Sequence, residues 1–463
     1  MRLVIFLLLV SNSYAQTISQ KLDVAINKLQ TDSQCKHGTI SLYVVENKTG
    51  KIIFDKNAET GLAPASCQKV ITAVTAFELL GKDYTYKTQL GYDGKIDSAI
   101  LKGNIYIVGS GDPTLGSWRY KNTTENILLS TFTKAIKAQG ILQIRGLVLG
   151  DDRMWNTQII PDGWIWQDIG NYYGAGASAL NWRENQYDLI LKSGKNIGER
   201  VKIAGTKPKY LPGLHLINEL TAAQKGSGDN AYIYVAPDTE EGFVRGTIPV
   251  NEDSFVITGS MPDGGKLLAA NIYQDLSAGK TYPDNNINYL KGKTKWNKPD
   301  TVFYTYTSPP LDSIMYWFLT RSINLYGEAL VKTIGYEKTK IGSTDNGVKV
   351  IRDFWSKNGI ESSSLKIIDG SGLSPANRVT TKALVTVMQY AKDKSWFSSF
   401  YYDLPEINNI KMKDGYINGV RSYTGYIKSK EGTEYTFSFI INNFDGSPTF
   451  VREKMWKVLD ILK

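Results

Sequence analysis

Two residues near the start of the chain have the types and the spacing of a nucleophile and its base. Ser66 is followed three positions later by Lys69, and the apolar residues after them recur at helical spacing. We therefore place both side chains on one face of the first turn of a buried helix. A desolvated lysine can lose its proton and then take one from a hydroxyl, as in Ser-Lys acyl enzymes. A capping serine beside a solvated lysine would show the same spacing.

The sequence has few of the residues that other hydrolytic mechanisms need. The chain has two histidines, His37 and His215, whereas a zinc site usually needs two or three histidines and a serine triad needs one that is well placed. Two cysteines, Cys35 and Cys67, are too few to define a disulfide framework, so their pairing stays open. We interpret Cys67 as a helix-packing residue. The sequence predicts no metal and no cofactor.

Length and composition indicate a globular protein of two or three domains. Of its 463 residues, 42% are hydrophobic and 21% are charged. Residues 1–15 are typical of a secretory signal peptide, with Arg2, an apolar run and small residues before Gln16. The apolar run is too short to span a bilayer, and an uncleaved anchor is the alternative. We expect an exported protein of the periplasm or cell envelope.

The charge balance restricts the partners. The formal net charge is +9, and the lysines are scattered without a basic tract, which argues against nucleic-acid binding. A modest basic excess favours anionic envelope polymers or peripheral association with a membrane surface. No sequence feature indicates an oligomeric state.

The two ends of the chain have the pattern of one α+β domain. Residues 40–45 and 51–55 predict a hairpin before the Ser66 helix, and 423–428 and 435–442 predict further strands. We therefore assign residues 16–84 and 297–463 to one domain, an antiparallel sheet flanked by helices. The intervening residues, 85–296, predict a β-rich insert of one or two domains, whose clustered tryptophans we interpret as core.

Three short polar motifs stand in order along the chain and together make a complete site. They are Ser66-x-x-Lys69, Ser322-x-Asn324 and Lys413-x-Gly415. In the second motif the hydroxyl can relay protons and the amide can hold the substrate backbone. In the third, the lysine places a cation on a strand edge, and the glycine lets a substrate peptide pair with that edge. The backbone N–H groups of Ser66 and Tyr416 would form an oxyanion hole.

This ordered set resembles the penicillin-recognising serine acyl enzymes, whose signature is S-x-x-K, S-x-N and K-T-G. Lys69 and Ser322 stand 253 positions apart (322 − 69), far more than in a class A β-lactamase. The large insert is similar to that of the low-molecular-mass class C penicillin-binding proteins, the D-alanyl-D-alanine carboxypeptidase/endopeptidases. Further stretches agree, at residues 111–115, 307–311, 324–330, 369–374 and 418–420.

The resemblance implies a penicillin-binding, serine β-lactamase-like transpeptidase fold and action on peptidoglycan stem peptides, with β-lactams as inhibitors. It implies that Ser66 is the nucleophile and Lys69 its general base, with Ser322, Asn324 and Lys413 as the other catalytic residues. The bond cut is the terminal D-Ala-D-Ala bond or the D-Ala-to-diaminopimelate cross-link.

An aspartate of the family's insert contacts the diaminopimelate side chain. Here Asp151 is the best match by sequence, and an ordinary turn aspartate is the alternative.

One position departs from the family pattern. Asp414 stands where the third motif normally has Thr or Ser, whose hydroxyl helps to bind the substrate's terminal carboxylate. Two carboxylates at close range repel each other, unless Asp414 turns to pair with Lys413 or Arg421. Carboxypeptidase action would suffer more than endopeptidase action. A catalytically weak homologue that binds wall peptides or a partner is therefore the alternative; the large insert argues against a β-lactamase.

Overall fold

The computed structural model describes residues 16–237, 239–261, 263–277, 287–292 and 294–463. The predicted signal peptide lies outside these residues. The helices of the described ranges are α1 Ile18–Thr31, α2 Lys69–Leu80, α3 Glu125–Ala138, α4 Trp166–Ile169, α5 Gly264–Leu276, α6 Leu311–Thr320, α7 Asn324–Thr339, α8 Thr344–Lys357, α9 Thr381–Lys392, α10 Phe397–Asp403 and α11 Pro448–Leu459.

The strands of the same ranges are β1 Thr39–Glu46, β2 Ile52–Lys56, β3 Lys87–Tyr92, β4 Lys95–Asp97, β5 Ile100–Lys102, β6 Ile105–Val108, β7 Gln143–Ile144, β8 Val148–Asp151, β9 Gln186–Lys192, β10 Lys202–Lys207, β11 His215–Asn218, β12 Thr221–Ala223, β13 Asn230–Val235, β14 Glu241–Pro249, β15 Phe255–Ser260, β16 Ile287–Leu290, β17 Thr301–Thr307, β18 Leu365–Lys366, β19 Arg378–Val379, β20 Glu406–Ile407, β21 Ile410–Ile417, β22 Val420–Lys428 and β23 Glu434–Asn442.

The two ends of the chain share one antiparallel sheet of order β2-β1-β23-β22-β21-β20. Strand β1 pairs along its whole length with β23, from Thr39 opposite Asn442 to Glu46 opposite Tyr435. On one face lies a core built with α2, α6, α7, α8 and α9, and on the other face α1 and α11 pack against the sheet. The predicted α+β fold, an antiparallel sheet flanked by helices, is confirmed.

Helix α2 is the centre of the first of these cores. Every residue from Lys69 to Phe77 is buried, as expected for a helix that is apolar on all sides and surrounded by other elements. It contacts α7, α9 and α6. The helix that begins at the site motif is therefore fixed by packing against three other helices.

The insert contains several sheets and two long helices, α3 and α5. Its largest sheet has the order β16-β8-β6-β3-β17, in which β6, β8 and β16 run parallel. Strand β17 lies within residues 297–463, the range that the sequence assigns to the domain of the chain ends. In the structure it pairs with β3, so the insert's sheet continues to Thr307.

Apolar residues recur at helical spacing over residues 311–335, but the structure divides this stretch at the second motif. Helix α6 ends at Thr320 and α7 begins at Asn324. Between them Ser322 has a positive φ of 56°, a left-handed conformation in which an α-helix cannot continue. The break places Ser322 and the first residue of α7 at the wall of a cleft.

The sheet core that supports the third motif can be tested by truncating one ring. Phe439 on β23 is fully buried, so Phe439→Ala should lower the free energy of unfolding by about 3–5 kcal/mol, because it leaves a cavity. Phe450 on α11 is 59% exposed, so Phe450→Ala, which also removes a phenyl ring, should change the free energy of unfolding by no more than about 0.5 kcal/mol. Chemical denaturation followed by circular dichroism measures both. Equal effects would contradict this account of the core.

Candidate active site

Ser66 and Lys69 meet at the first turn of α2. Ser66 lies in a 3₁₀ turn, Ala65–Gln68, that leads directly into the helix. Lys69 Nζ lies 2.8 Å from Ser66 Oγ. The preceding residue, Ala65, has a positive φ of 45°, a strained conformation of the kind that clusters at functional sites.

The Lys69 amine is fully buried and is held by three oxygens. Besides Ser66 Oγ, it donates to Asn324 Oδ1 at 2.6 Å and to the Ser371 carbonyl at 2.8 Å. Burial, together with the positive charge of Lys413, lowers the pKa of Lys69 to about 7. The amine is thus set to exchange a proton near neutral pH, as a general base must.

The loop that supplies the Ser371 carbonyl is organised by Asp369. This buried carboxylate accepts hydrogen bonds from two backbone N–H groups of its own loop, those of Gly372 and Ser374. Three side chains also donate to it, those of Gln68, Trp164 and Asn377. The loop passes so close to the serine turn that a Cβ at Gly372 would lie 1.9 Å from the Ala65 carbonyl oxygen. Only glycine fits there.

A second buried carboxylate, Glu328 on α7, holds the same loop from behind. Both of its oxygens accept the Gly370 N–H, at 3.0 and 3.2 Å. Burial and the neighbouring charge of Asp369 raise the pKa of Glu328 to about 8.

Asn324 of the second motif is hydrogen-bonded to Lys69 of the first. The Ser322 side chain makes no hydrogen bond to the first motif in the described residues. Asn324 Oδ1 accepts from Lys69, and its Nδ2 donates to the Tyr173 carbonyl of the insert at 2.7 Å. The amide that the sequence assigns to the substrate backbone is therefore engaged with the protein. Ser322 lines the cleft beside Ser66.

The third motif runs along β21 beside the serine turn. Gly415 approaches Ser66 so closely that a Cβ there would lie 2.7 Å from the Ser66 nitrogen, which explains why this position takes glycine. Lys413 is buried, and its Nζ donates to the Asp414 carbonyl at 2.8 Å and to Asp414 Oδ1 at 3.0 Å. Arg421 Nη2 lies 3.8 Å from Asp414 Oδ2. Asp414 thus pairs with both cations.

These motifs open into one cleft of about 700 Å³. Tyr416 of the third motif lines it with Ser66, Ser322 and Asn324, and the insert supplies the opposite wall. Asp151, the insert residue predicted to contact substrate, is not among its lining residues. It ends strand β8, and both of its carboxylate oxygens bind the Arg153 guanidinium, at 2.8 and 2.6 Å.

The insert acid that does line the cleft is Asp168, on the short helix α4. Burial raises the pKa of Asp168 to about 6, although a hydrogen bond from Tyr173 opposes the shift. Asp168 is not among the residues that the sequence predicts for the site. The aromatic stretch around it, with Trp164 and Trp166, does not single it out, because clustered tryptophans are equally typical of a core.

The structure also describes both cysteines. Cys35 and Cys67 are buried free thiols. Burial raises the pKa of Cys67 to about 11, so its thiol stays protonated, and its Sγ lies 3.2 Å from the Lys413 carbonyl oxygen. Across these residues, no group of three or more His, Cys, Asp or Glu side chains is arranged to hold a metal ion.

Curated relatives resemble this chain over most of its length. It is 25% identical over 459 residues to the D-alanyl-D-alanine carboxypeptidase of Actinomadura sp. (strain R39), covering 91% of this chain and 81% of the relative. It is also 25% identical over 441 residues to the D-alanyl-D-alanine carboxypeptidase DacB of Haemophilus influenzae, covering 90% and 88%.

The fold is shared with a solved structure. Penicillin-binding protein 4 (dacB) of Haemophilus influenzae matches with a TM-score of 0.78 at 22% identity, covering 94% of this chain and 97% of the other. The family model for D-Ala-D-Ala carboxypeptidase 3 (S13) matches residues 22–460. The resemblance drawn from the three motifs is therefore confirmed, and the chain belongs to the D-Ala-D-Ala carboxypeptidase 3 (S13) family.

Proposed function

We propose that this protein is an exported serine D,D-peptidase that cleaves peptidoglycan stem peptides through an acyl-enzyme on Ser66 and is inhibited by β-lactams. The observation that carries the proposal is the buried Lys69 amine, 2.8 Å from Ser66 Oγ and held by Asn324 and the Ser371 carbonyl. An exported location, the periplasm or cell envelope, rests on the signal-like residues 1–15. In the described ranges no helix has the length and hydropathy of a membrane span.

Acylation begins when unprotonated Lys69 takes the hydroxyl proton of Ser66. The serine oxygen then attacks the carbonyl carbon of the penultimate D-Ala, and the C–N bond to the leaving residue breaks. The proton passes to the leaving amine, with the Ser322 hydroxyl as the relay. Water hydrolyses the ester in the second step, and the oxyanion of each step lies at the backbone N–H groups of Ser66 and Tyr416.

The substrate lies along β21, where Gly415 leaves room for a peptide backbone beside Ser66. The wall of the cleft that the insert forms contacts the side chain of the stem peptide. Asp168 lines that wall, whereas Asp151 is occupied by Arg153, so we assign to Asp168 the contact with the diaminopimelate amine.

A second candidate function is supported by two observations. The Lys413 amine donates a hydrogen bond to the Asp414 carboxylate, and the side-chain amide of Asn324 donates one to the Tyr173 carbonyl. Both groups would otherwise bind substrate, so a homologue that binds wall peptides without rapid turnover is the competing proposal. Turnover of a peptide substrate separates the two.

The pH dependence of acylation tests the role of Lys69. Because the amine acts as a base only when unprotonated, and the pKa of Lys69 is about 7, the acylation rate should rise roughly tenfold per pH unit below pH 7 and level off above it. Stopped-time assays of peptide cleavage from pH 5 to 9 measure this rate, and Ser66→Ala, which keeps Lys69, sets the baseline. A flat profile in the wild type would contradict the assignment.

Substitution of Asp168 and of Asp151 tests which of these two insert residues binds the diaminopimelate amine. Asp168→Asn should lower kcat/KM at least tenfold for a stem peptide with that free amine, and much less for a peptide that lacks it. Asp151→Asn serves as the matched control and should leave the ratio of the two kcat/KM values unchanged, since it loses only the pair with Arg153. The opposite pattern would return the role to Asp151.

A further inference from the structure

A second cavity, of about 440 Å³, lies between helices α6 and α10. Among the described residues, none that lines this cavity also lines the catalytic cleft. Its wall consists of two aspartates, Asp312 and Asp403, two tyrosines, Tyr316 and Tyr402, and three serines. Carboxylates and hydroxyls accept hydrogen bonds, and aromatic faces attract cations. The lining is therefore suited to a positively charged ligand.

Both aspartates of this cavity have an oxygen that is buried without a partner. Asp403 is 3% exposed, and its Oδ2 accepts no hydrogen bond from any described residue. Oδ1 of Asp312, on the facing helix, is buried in the same condition. A carboxylate that is removed from water and left unpaired is costly, so both oxygens favour a ligand that donates hydrogen bonds.

The lysine that acts on Asp403 is already engaged with the backbone. Lys411 on β21 donates from Nζ to the Leu404 carbonyl at 3.0 Å and to the Tyr402 carbonyl at 3.3 Å. Burial and the charge of Asp312 raise the pKa of Asp403 to about 8, and Lys411 opposes this shift only in part. Two ionised carboxylates beside one lysine leave one negative charge without a counter-charge.

The two tyrosine rings favour an organic cation over a metal ion. The rings of Tyr316 and Tyr402 are stacked, with centroids 5.8 Å apart, and Tyr402 is 68% exposed, so a ligand can reach it from solvent. Calcium takes about six to eight oxygen ligands. Within the part of the chain that the structure describes, no three His, Cys, Asp or Glu side chains are grouped to hold a metal ion.

We infer that this cavity binds a primary alkylammonium group, with the ammonium between Asp403 and Asp312 and the alkyl chain against the rings of Tyr316 and Tyr402. An ammonium group has three N–H donors, which match Asp403 Oδ2, Asp312 Oδ1 and a serine hydroxyl. Its single charge balances the unpaired negative charge. The group can belong to a free alkylamine or to a lysine-like side chain of a peptide, and the chemistry that recognises it is the same.

Isothermal titration calorimetry of the full chain tests the inference. The probes are n-pentylamine, for a free amine, and Nα-acetyl-lysine amide, for a peptide side chain, with 1-pentanol as the neutral analogue. We expect saturable binding of one or both amines at a single site, and none of the alcohol. Which amine binds more tightly identifies the source of the ligand. Asp403→Asn and Asp312→Asn should each weaken this binding at least about tenfold, because each removes a charged acceptor.

The matched control is Asp393→Asn, which removes one carboxylate at an exposed position after α9 and should leave the affinity unchanged. Tyr402→Leu keeps an apolar side chain without the aromatic face and should weaken binding about threefold. Thermal melts establish that each variant is folded. Binding of calcium ions in place of the amines, no binding of either amine to the folded wild type, or an affinity that Asp403→Asn and Asp312→Asn both leave unchanged overturns the inference.

Discussion

The site depends on keeping one amine, Lys69 Nζ, out of water. Burial disfavours its charged form, so the pKa of Lys69 falls to about 7 and a lysine becomes an available base. The surrounding oxygens of Ser66, Asn324 and Ser371 orient the amine without adding a carboxylate partner that would hold its proton. The apolar helix α2, the loop organised by Asp369 and the helix break before Asn324 all serve this one requirement.

The insert takes part in the site directly. Trp164 donates to the carboxylate of Asp369, and the Tyr173 carbonyl accepts from Asn324. Farther along α7, the buried Lys332 amine donates to the carbonyls of Gln158 and Ala177, so a charge of the catalytic domain is satisfied by the insert backbone. The insert therefore positions the catalytic loop and α7, besides forming one wall of the cleft.

The sequence could predict the parts that local pattern determines. The buried helix after Ser66 and the two strands that follow the third motif are predicted by apolar spacing and β-branched runs, and the order of the motifs indicated the family. It could not predict contacts between distant segments. The bond from Trp164 to Asp369 spans 205 positions, and Asp168 was missed because no local pattern distinguishes it from Asp151. The positive φ of Ser322 could not be predicted, because the residues on both sides of it have the composition of a helix.

The most direct test of the central claim is the mass of the intact protein after reaction with a fluorescent penicillin, with the modified residue located by peptide mapping. The account predicts a stable adduct of one penicillin on Ser66 in the wild type and none in Ser66→Ala. A folded wild type that forms no adduct, or an adduct that persists in Ser66→Ala, would contradict the account.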